Sequence, residues 1–182
     1  AQGDVVQFIA DWDNPSKYLS WIGDIQNIGL NSLTGKRNQV ANGSRAFRYV
    51  NAFGPSRLFP ALSRLDTSNL TRMNEMFYEM SGYCDASGWD TSNVVNMREA
   101  FMGEVSTFYP QGAGAWNTSK VNIMTSTFSW NFQVSGERGM PALDVSEWCV
   151  KNIPSKPTDF DLYTDWDTSL QPKWGTCPRG EI

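Results

Sequence analysis

Two glutamates that recur at one position are the first residues in this sequence that could do chemistry. Glu75 and Glu99 each stand two residues before a phenylalanine. Hydrolysis of a glycosidic bond needs two carboxyl groups about 5–9 Å apart, one of which donates a proton. An exposed residue of a structural repeat would recur in the same way, and Ser126 occupies the next equivalent position. A polysaccharide hydrolase is therefore a minor alternative, and we assign no catalytic residue.

A second recurring series of side chains could be imagined to bind calcium. It consists of Asp66, Asp90, Asn117 and Asp144. Calcium takes about 6–8 oxygen ligands, usually from clustered carboxylates, whereas each of these positions offers a single acid or amide. Short polar side chains also bond to nearby backbone N–H groups and fold the chain into a turn. We interpret the series as turn residues and predict no metal and no cofactor.

The overall composition argues against several classes of function. Histidine is absent, which removes the commonest general base and the commonest zinc ligand. The net charge is −4 without a basic run, so we expect no nucleic-acid partner. No apolar run approaches the roughly 20 residues of a membrane span, so we expect no membrane insertion. With 182 residues, of which 40% are hydrophobic, the chain fits one domain with a core. From the absence of histidine and of a convincing catalytic pair, we predict that the protein is not an enzyme.

An internal repeat organises the chain. Three stretches align without a gap from Leu65, Trp89 and Trp116, and a fourth copy opens at Leu143; the starts are 24, 27 and 27 residues apart. In the three full copies an aliphatic residue, a methionine and a phenylalanine follow at spacings of three and four residues. These predicted core residues are Leu70, Met73, Phe77, Val94, Met97, Phe101, Val121, Met124 and Phe128. A degenerate earlier copy is also expected, in a register through Tyr49 and Phe53 or, alternatively, through Ala46 and Phe47.

A single unit of about 25 residues cannot bury such side chains alone, whereas stacked copies can. We therefore predict a repeat solenoid that is leucine-rich-repeat-like, with short β-strands and short helical turns in each coil and caps at both ends. The predicted N-terminal cap is residues 1–40, and the solenoid of about four coils is residues 41–147. The proline-rich residues 148–182 are the predicted C-terminal cap.

The stretches between the repeats differ in length and carry aromatic residues. In repeat proteins such variation usually maps to one rim, which is often the binding face. Aromatic faces in these stretches could stack on sugar rings. The candidate ligand-binding residues are Tyr78, Tyr83, Phe108, Tyr109, Trp130 and Phe132.

The units of the form W-D-T-S-N-V-x-x-M-x-x-x-F resemble a family of bacterial surface-protein repeats of about 26 residues. This BspA-type family is leucine-rich-repeat-like and occurs in surface lipoproteins and adhesins. The resemblance covers residues 65–128 closely and 41–146 more loosely, and residues 25–33 resemble the family's lead-in segment. This sequence departs from the pattern at Asn117, which replaces Asp, and at Ala100 and Thr127, which replace the Met before Phe.

The end of the chain is similar to phage-encoded members of that family. The similar residues are Trp148-Cys149-Val150-Lys151-Asn152-Ile153-Pro154 and Trp174-Gly175-Thr176-Cys177-Pro178. A disulfide between Cys149 and Cys177 would suit an oxidising compartment and stabilise the fold by about 3–4 kcal/mol. Two buried thiols are the alternative, and the similar tail favours the disulfide. We expect Cys84 to be an unpaired core residue.

The resemblance implies attachment, and it supplies no catalytic residue. We expect a non-catalytic recognition or adhesion module of a phage virion, such as a tail fibre, or of a bacterial surface. Its partner would be a host-surface glycan or protein. The alternative is a structural virion protein, a capsid decoration or tail component, that docks to other virion subunits. Both hypotheses place the chain in the virion or outside the cell, and a start at Ala1 is expected of a processed product or an excised fragment.

Overall fold

The computed structural model describes residues 42–47, 62–80, 82–103, 108–130 and 143–180. The predicted N-terminal cap, residues 1–40, lies outside them, as do Tyr49, Phe53 and Phe132. Regular secondary structure in the described residues is sparse. Strand β1 (Gly82–Asp85) pairs in parallel with strand β2 (Phe108–Gln111), and short 3-10 helices span Leu62–Arg64, Ala113–Ala115 and Thr168–Leu170. None of the described helices is long and apolar enough to cross a bilayer.

Successive repeats lie on one another through parallel backbone pairing. Isolated bridges join Asn42 to Arg72, Arg72 to Asn96 and Asn96 to Ile123. After each bridge, alternate N–H groups donate to the carbonyls of the next repeat. These bonds run from Met73 to Asn96, Glu75 to Arg98 and Phe77 to Ala100, and again from Met97 to Ile123, Glu99 to Thr125 and Phe101 to Thr127, all at 2.9–3.0 Å.

A tight turn follows each bridge and lets the backbone reach both neighbours. The N–H of Met76 donates to the carbonyl of Met73 at 3.0 Å, and the same turn recurs one and two repeats later. Its third residue has a positive φ, of 56° at Glu75, 54° at Glu99 and 53° at Ser126. The two glutamates considered for hydrolysis are therefore equivalent residues of a repeated turn.

The core consists of side chains stacked in columns along the repeats. Phe47, Phe77, Phe101 and Phe128 form one column, with ring centroids 5.2–5.5 Å apart and planes within 10° of parallel. All nine of the core residues named from the sequence are at most 2% exposed. Because Phe47 stacks on Phe77, the earliest copy follows the register through Ala46 and Phe47, and the register through Tyr49 and Phe53 was wrong.

A second column consists of indole rings. Trp89, Trp116 and Trp148 stack with centroids 5.8 and 6.1 Å apart. Each donates its indole N–H, at 2.8–2.9 Å, to the backbone carbonyl that lies three residues before the start of the preceding repeat, which satisfies a donor that burial would otherwise leave unpaired.

This indole column corrects the fourth repeat, which begins at Trp148 and not at Leu143. Thr91 donates its hydroxyl to the carbonyl of Asn117, and Thr118 donates in the same way to Cys149, both at 3.0 Å. Cys149 therefore occupies the position of Asn117, one repeat further along. The sequence match at Leu143 was wrong because a D-x-S turn occurs twice in a repeat. Asp144 is equivalent to Asp85, not to Asp66, since each lies four residues before a stacked tryptophan.

Part of the predicted C-terminal cap continues the hydrogen-bonded array and then ends it. The N–H groups of Ser126, Phe128 and Trp130 donate to the carbonyls of residues 158, 160 and 162 at 2.8–3.2 Å. Pro157 closes the turn with Phe160, as Met124 does with Thr127, but has no N–H to offer a further repeat. The stacked column ends at Phe128, whose ring meets Phe160 and Trp166 edge to face, with centroids 5.4 and 5.0 Å apart. Asp161, next to Phe160, pairs its carboxylate with Lys156 at 2.6 Å.

We expect Phe101→Ala to lower the free energy of unfolding by about 3–5 kcal/mol, because it removes a ring between two stacked rings and leaves a cavity. Chemical denaturation monitored by circular dichroism measures the change. Ile123→Ala is the control, since that side chain is 42% exposed and its loss should cost no more than about 0.5 kcal/mol. Equal losses in the two variants would contradict the column as the main source of stability.

We expect Ser126→Gly to stabilise the fold by about 0.5–1 kcal/mol. A left-handed residue with a side chain costs about 1–2 kcal/mol, and the greater freedom of glycine in the unfolded chain offsets part of the gain. The neighbouring Thr125→Gly should instead destabilise, because Thr125 has no positive φ. Thermal unfolding of the two variants tests the difference in sign.

Candidate functional site

The outward side of the paired turns is a surface whose residues differ from one repeat to the next. We call it the ladder face and define it by Arg72, Asn74, Asn96, Arg98, Ile123 and Thr125. All six are exposed or half-buried, while Met73, Met97 and Met124 between them point into the core. The array thus keeps its inner side chains and changes its outer ones.

Ion pairs fix the carboxylates beside the ladder face. Arg45 donates two hydrogen bonds to Glu75, each at 3.1 Å, and Arg98 lies 2.7 Å from Glu99. The bidentate geometry of the first pair is the stronger kind. Glu75 and Glu99, the residues weighed for hydrolysis, therefore each lie against an arginine.

The structure separates the aromatic residues that the sequence offered as ligand contacts. Phe108 is fully buried and stacks on Phe77 with centroids 4.4 Å apart, so its assignment to a ligand was wrong. It opens strand β2 on the inward side, which variable-loop reasoning could not foresee. Tyr78, Tyr83, Tyr109 and Trp130 are half-buried, and Phe132 lies outside the described residues.

Two of these aromatics are brought together. Tyr83 and Tyr109 are opposite each other in the parallel pair of β1 and β2. Burial raises the pKa of the Tyr109 hydroxyl, whose ring packs against the core. Trp130 differs, since its indole nitrogen is buried and finds no hydrogen-bond acceptor within the described ranges.

The recurring acids serve as turn residues, as the sequence predicted. Asp66, Asp90, Asn117 and Asp144 each accept the N–H of the serine two residues later at 2.9–3.1 Å. Hydrogen bonds from Ser92 and Ser146 lower the pKa of Asp90 and Asp144. In the part of the chain that the structure describes, no group of three or more acids or cysteines could hold a metal ion.

A cavity near the C-terminal end was not found from the sequence. Its volume is about 580 Å³, and we call it the C-terminal cavity. Its walls include Ser146, Glu147, Ser169, Gln171, Lys173 and Trp174. Two D-x-S turns flank it, since Ser169 donates its N–H to Asp167 at 2.8 Å just as Ser146 does to Asp144 at 3.0 Å. The D-x-S turn of Asp167 and Ser169 is the sequence feature that could have indicated the C-terminal cavity.

A disulfide joins Cys149 of the fourth repeat to Cys177, as the similarity of the tail favoured. Cys177 directly precedes Pro178, which also lines the C-terminal cavity, so the bond ties one wall to the core. Cys84 is free and buried, and burial raises the pKa of its thiol, so it has little nucleophilic character at neutral pH.

Comparison with known proteins gives one match. The model of a family described as "Mycoplasma protein of unknown function, DUF285" matches residues 41–174. The match includes the ladder face and most of the C-terminal cavity's lining. No curated protein and no solved structure matches the chain.

We expect the double variant Cys149→Ala, Cys177→Ala to lose about 3–4 kcal/mol of stability, because a crosslink over 28 residues of separation restricts the unfolded chain. Urea denaturation measures the loss. A reductant should lower the stability of the natural chain to the same degree and leave the double variant unchanged. A reductant effect that persists in the variant would contradict the assignment.

We expect the fold to lose stability below about pH 4. The pKa values of Asp90 and Asp144 are lowered in the folded chain, so each carboxylate stabilises it above the unfolded-state pKa and this contribution is lost as the pH falls through the lowered value. Replacing both by Asn keeps the turn acceptor, as Asn117 does, and should flatten the acid limb of a stability profile. Asp165→Asn is the control, because Asp165 is exposed and accepts no hydrogen bond from any described residue. Equal flattening by the control would contradict this account.

Proposed function

We propose, from the premise that the chain belongs to the DUF285 family and carries its BspA-type repeats, that it is a non-catalytic surface-recognition module. The repeats, the fourth of which begins at Trp148, would form a leucine-rich-repeat-like solenoid, capped by residues 1–40 and by the residues that follow the last paired turn. The module would act in adhesion at the surface of a phage virion, as in a tail fibre, or of a bacterial cell. Its partner would be a host-surface glycan or protein.

The observation that carries the proposal is the contrast between the two sides of the array. The inward residues at the same position of three successive repeats are Met73, Met97 and Met124, each at most 1% exposed. The outward residues one position earlier are Arg72, Asn96 and Ile123, which share neither charge nor polarity. Core packing explains the first series and leaves the second free to differ, which allows the outer side to be fitted to a binding partner.

The ladder face is also suited to binding by its rigidity. Its backbone is bonded on both sides, so a partner would order few main-chain dihedrals when it binds. Its side chains combine the charge of Arg72 with the apolar surface of Ile123, which is 42% exposed. A mixture of this kind favours a protein or glycan surface over a purely electrostatic partner.

A phage origin is a further part of the proposal. It is supported by the tail motifs around Cys149 and Cys177, which resemble the ending of phage-encoded relatives, and by the disulfide between them. Such a bond persists outside the reducing cytosol.

A second candidate is a structural virion protein that docks to neighbouring subunits. The observation that favours it is at the end of the array, where Leu162 and Tyr163 are 38% and 42% exposed. Adjacent exposed apolar side chains often mark a protein interface. In this case the end of the array, and not the ladder face, would make the contact.

Binding of the purified chain to whole bacterial cells and to a glycan array tests the proposal. We expect the double variant Arg72→Glu, Ile123→Glu to lose at least about tenfold in affinity, since it places charge on the centre of the ladder face. Arg64→Glu is the control for charge reversal elsewhere, because Arg64 is exposed in a 3-10 helix outside that face.

The outcomes separate the two candidates. Loss of binding in the ladder-face variant alone supports recognition through that face. Absence of binding to every cell and glycan, together with docking to purified capsids or tails that Leu162→Ala with Tyr163→Ala abolishes, would replace it by the structural role.

A further inference from the structure

We infer that the C-terminal cavity binds an acidic saccharide, a sugar ring that carries a carboxylate, with Trp174 as the surface on which the ring stacks. The inference rests on the proposed recognition function and gives it a ligand class. The cavity volume of about 580 Å³ lies within the range of roughly 300–1,000 Å³ found for small-molecule sites. One or two sugar rings are ligands of a suitable size.

Trp174 differs from the four tryptophans that bond to the backbone. Trp89, Trp116, Trp148 and Trp166 are at most 5% exposed, and each donates its indole N–H to a backbone carbonyl. Trp174 is half-buried, and we find no acceptor for its N–H within the described residues. A ring with an apolar face and an unused donor at its edge matches a sugar, which offers C–H groups on its face and hydroxyls at its rim.

The ring is held in place from behind. Phe160 is fully buried and meets Trp174 edge to face, with centroids 4.8 Å apart and planes at 82°. This contact holds Trp174 against the core, and Trp174 also lines the cavity. A ligand would therefore meet a platform that needs no ordering when it binds.

The polar groups around the platform are fixed as well. Ser146 donates both its N–H and its hydroxyl to Asp144, at 3.0 and 2.7 Å. Gln171 is 6% exposed and donates its side-chain amide to Asp161 at 2.7 Å. With these donors engaged, the side-chain oxygens of Ser146 and Gln171 would accept hydrogen bonds from sugar hydroxyls.

Charge at the rim selects an acidic ligand. Glu147 lies 3.5 Å from Arg179, and Lys156 pairs with Asp161, so these charges are balanced locally. Lys173 is exposed, and no carboxylate in the described part of the chain pairs with it. It lies next to Trp174 in sequence and lines the same cavity, so a carboxylate on a ring stacked there would meet a positive charge.

Titration calorimetry of the full oxidised chain tests the inference with two acidic probes, 3′-sialyllactose and trigalacturonic acid, and with lactose as the neutral probe. We expect an acidic probe to bind at least about fivefold more tightly than lactose. Trp174→Ala should weaken acidic binding at least about tenfold. Lys173→Gln should remove the preference for the acidic probe and leave lactose binding unchanged.

Two further variants keep the result interpretable. Trp174→Phe preserves a ring against Phe160 and loses the indole N–H, so it should bind more weakly while the melting temperature stays close to that of the natural chain. Lys151→Gln removes a lysine that does not line the cavity and should leave all binding unchanged. Absence of binding by both acidic probes, or binding that survives Trp174→Ala in a folded protein, overturns the inference.

The test is distinguishable from that of the proposed function. Cell binding that depends on Arg72 and Ile123 but not on Trp174 would leave the recognition function standing and end the inference. Binding of an acidic probe at Trp174 without any binding to cells or arrays would do the opposite.

Discussion

The structure depends on one constraint, which is that equivalent residues of successive repeats must lie directly against one another. A repeat has too few residues to enclose its own phenylalanine and tryptophan, so rings inside the array, such as Phe101 and Trp116, are covered on both sides by their counterparts. Parallel backbone hydrogen bonds set the spacing at which those rings meet. Buried hydroxyls add to them, since Thr91 and Thr118 are at most 1% exposed and bond from one repeat to the next. A single repeat could form neither the ring stacks nor these backbone hydrogen bonds.

The sequence predicted the inner side of the array better than the outer side. The spacing of Met73 and Phe77 recurs because the equivalent side chains must be buried in every repeat. The start of the fourth copy was misplaced because D-x-S turns occur at two corners of a repeat. Only the stacking of Trp148 on Trp116 distinguishes those corners. Phe108 was misassigned because its inward direction depends on the pairing of β2 with β1, which no local pattern records.

The candidate sites were the least predictable part for the same physical reason. The C-terminal cavity is formed by residues that lie apart in the chain, such as Ser146 and Trp174, which only folding brings together. The ladder face is visible in the sequence only as the residues left over once the core positions are assigned. Because the core and the backbone hydrogen bonds hold the scaffold, its outer residues are free to differ. The repeat pattern could therefore locate these residues but could not identify what they bind.

The way the array ends has a consequence for how such proteins change over generations. Pro157, together with Phe160 and Trp166 packed on Phe128, ends the array after the last repeat, and these contacts do not depend on how many repeats come before. Tandem duplication of one interior unit, such as residues 89–115, would present the same two faces to its neighbours and leave that ending intact. The length of the array is therefore a quantity that genetic drift and selection can alter in whole steps. Each added step would lengthen the outer surface without requiring a new core.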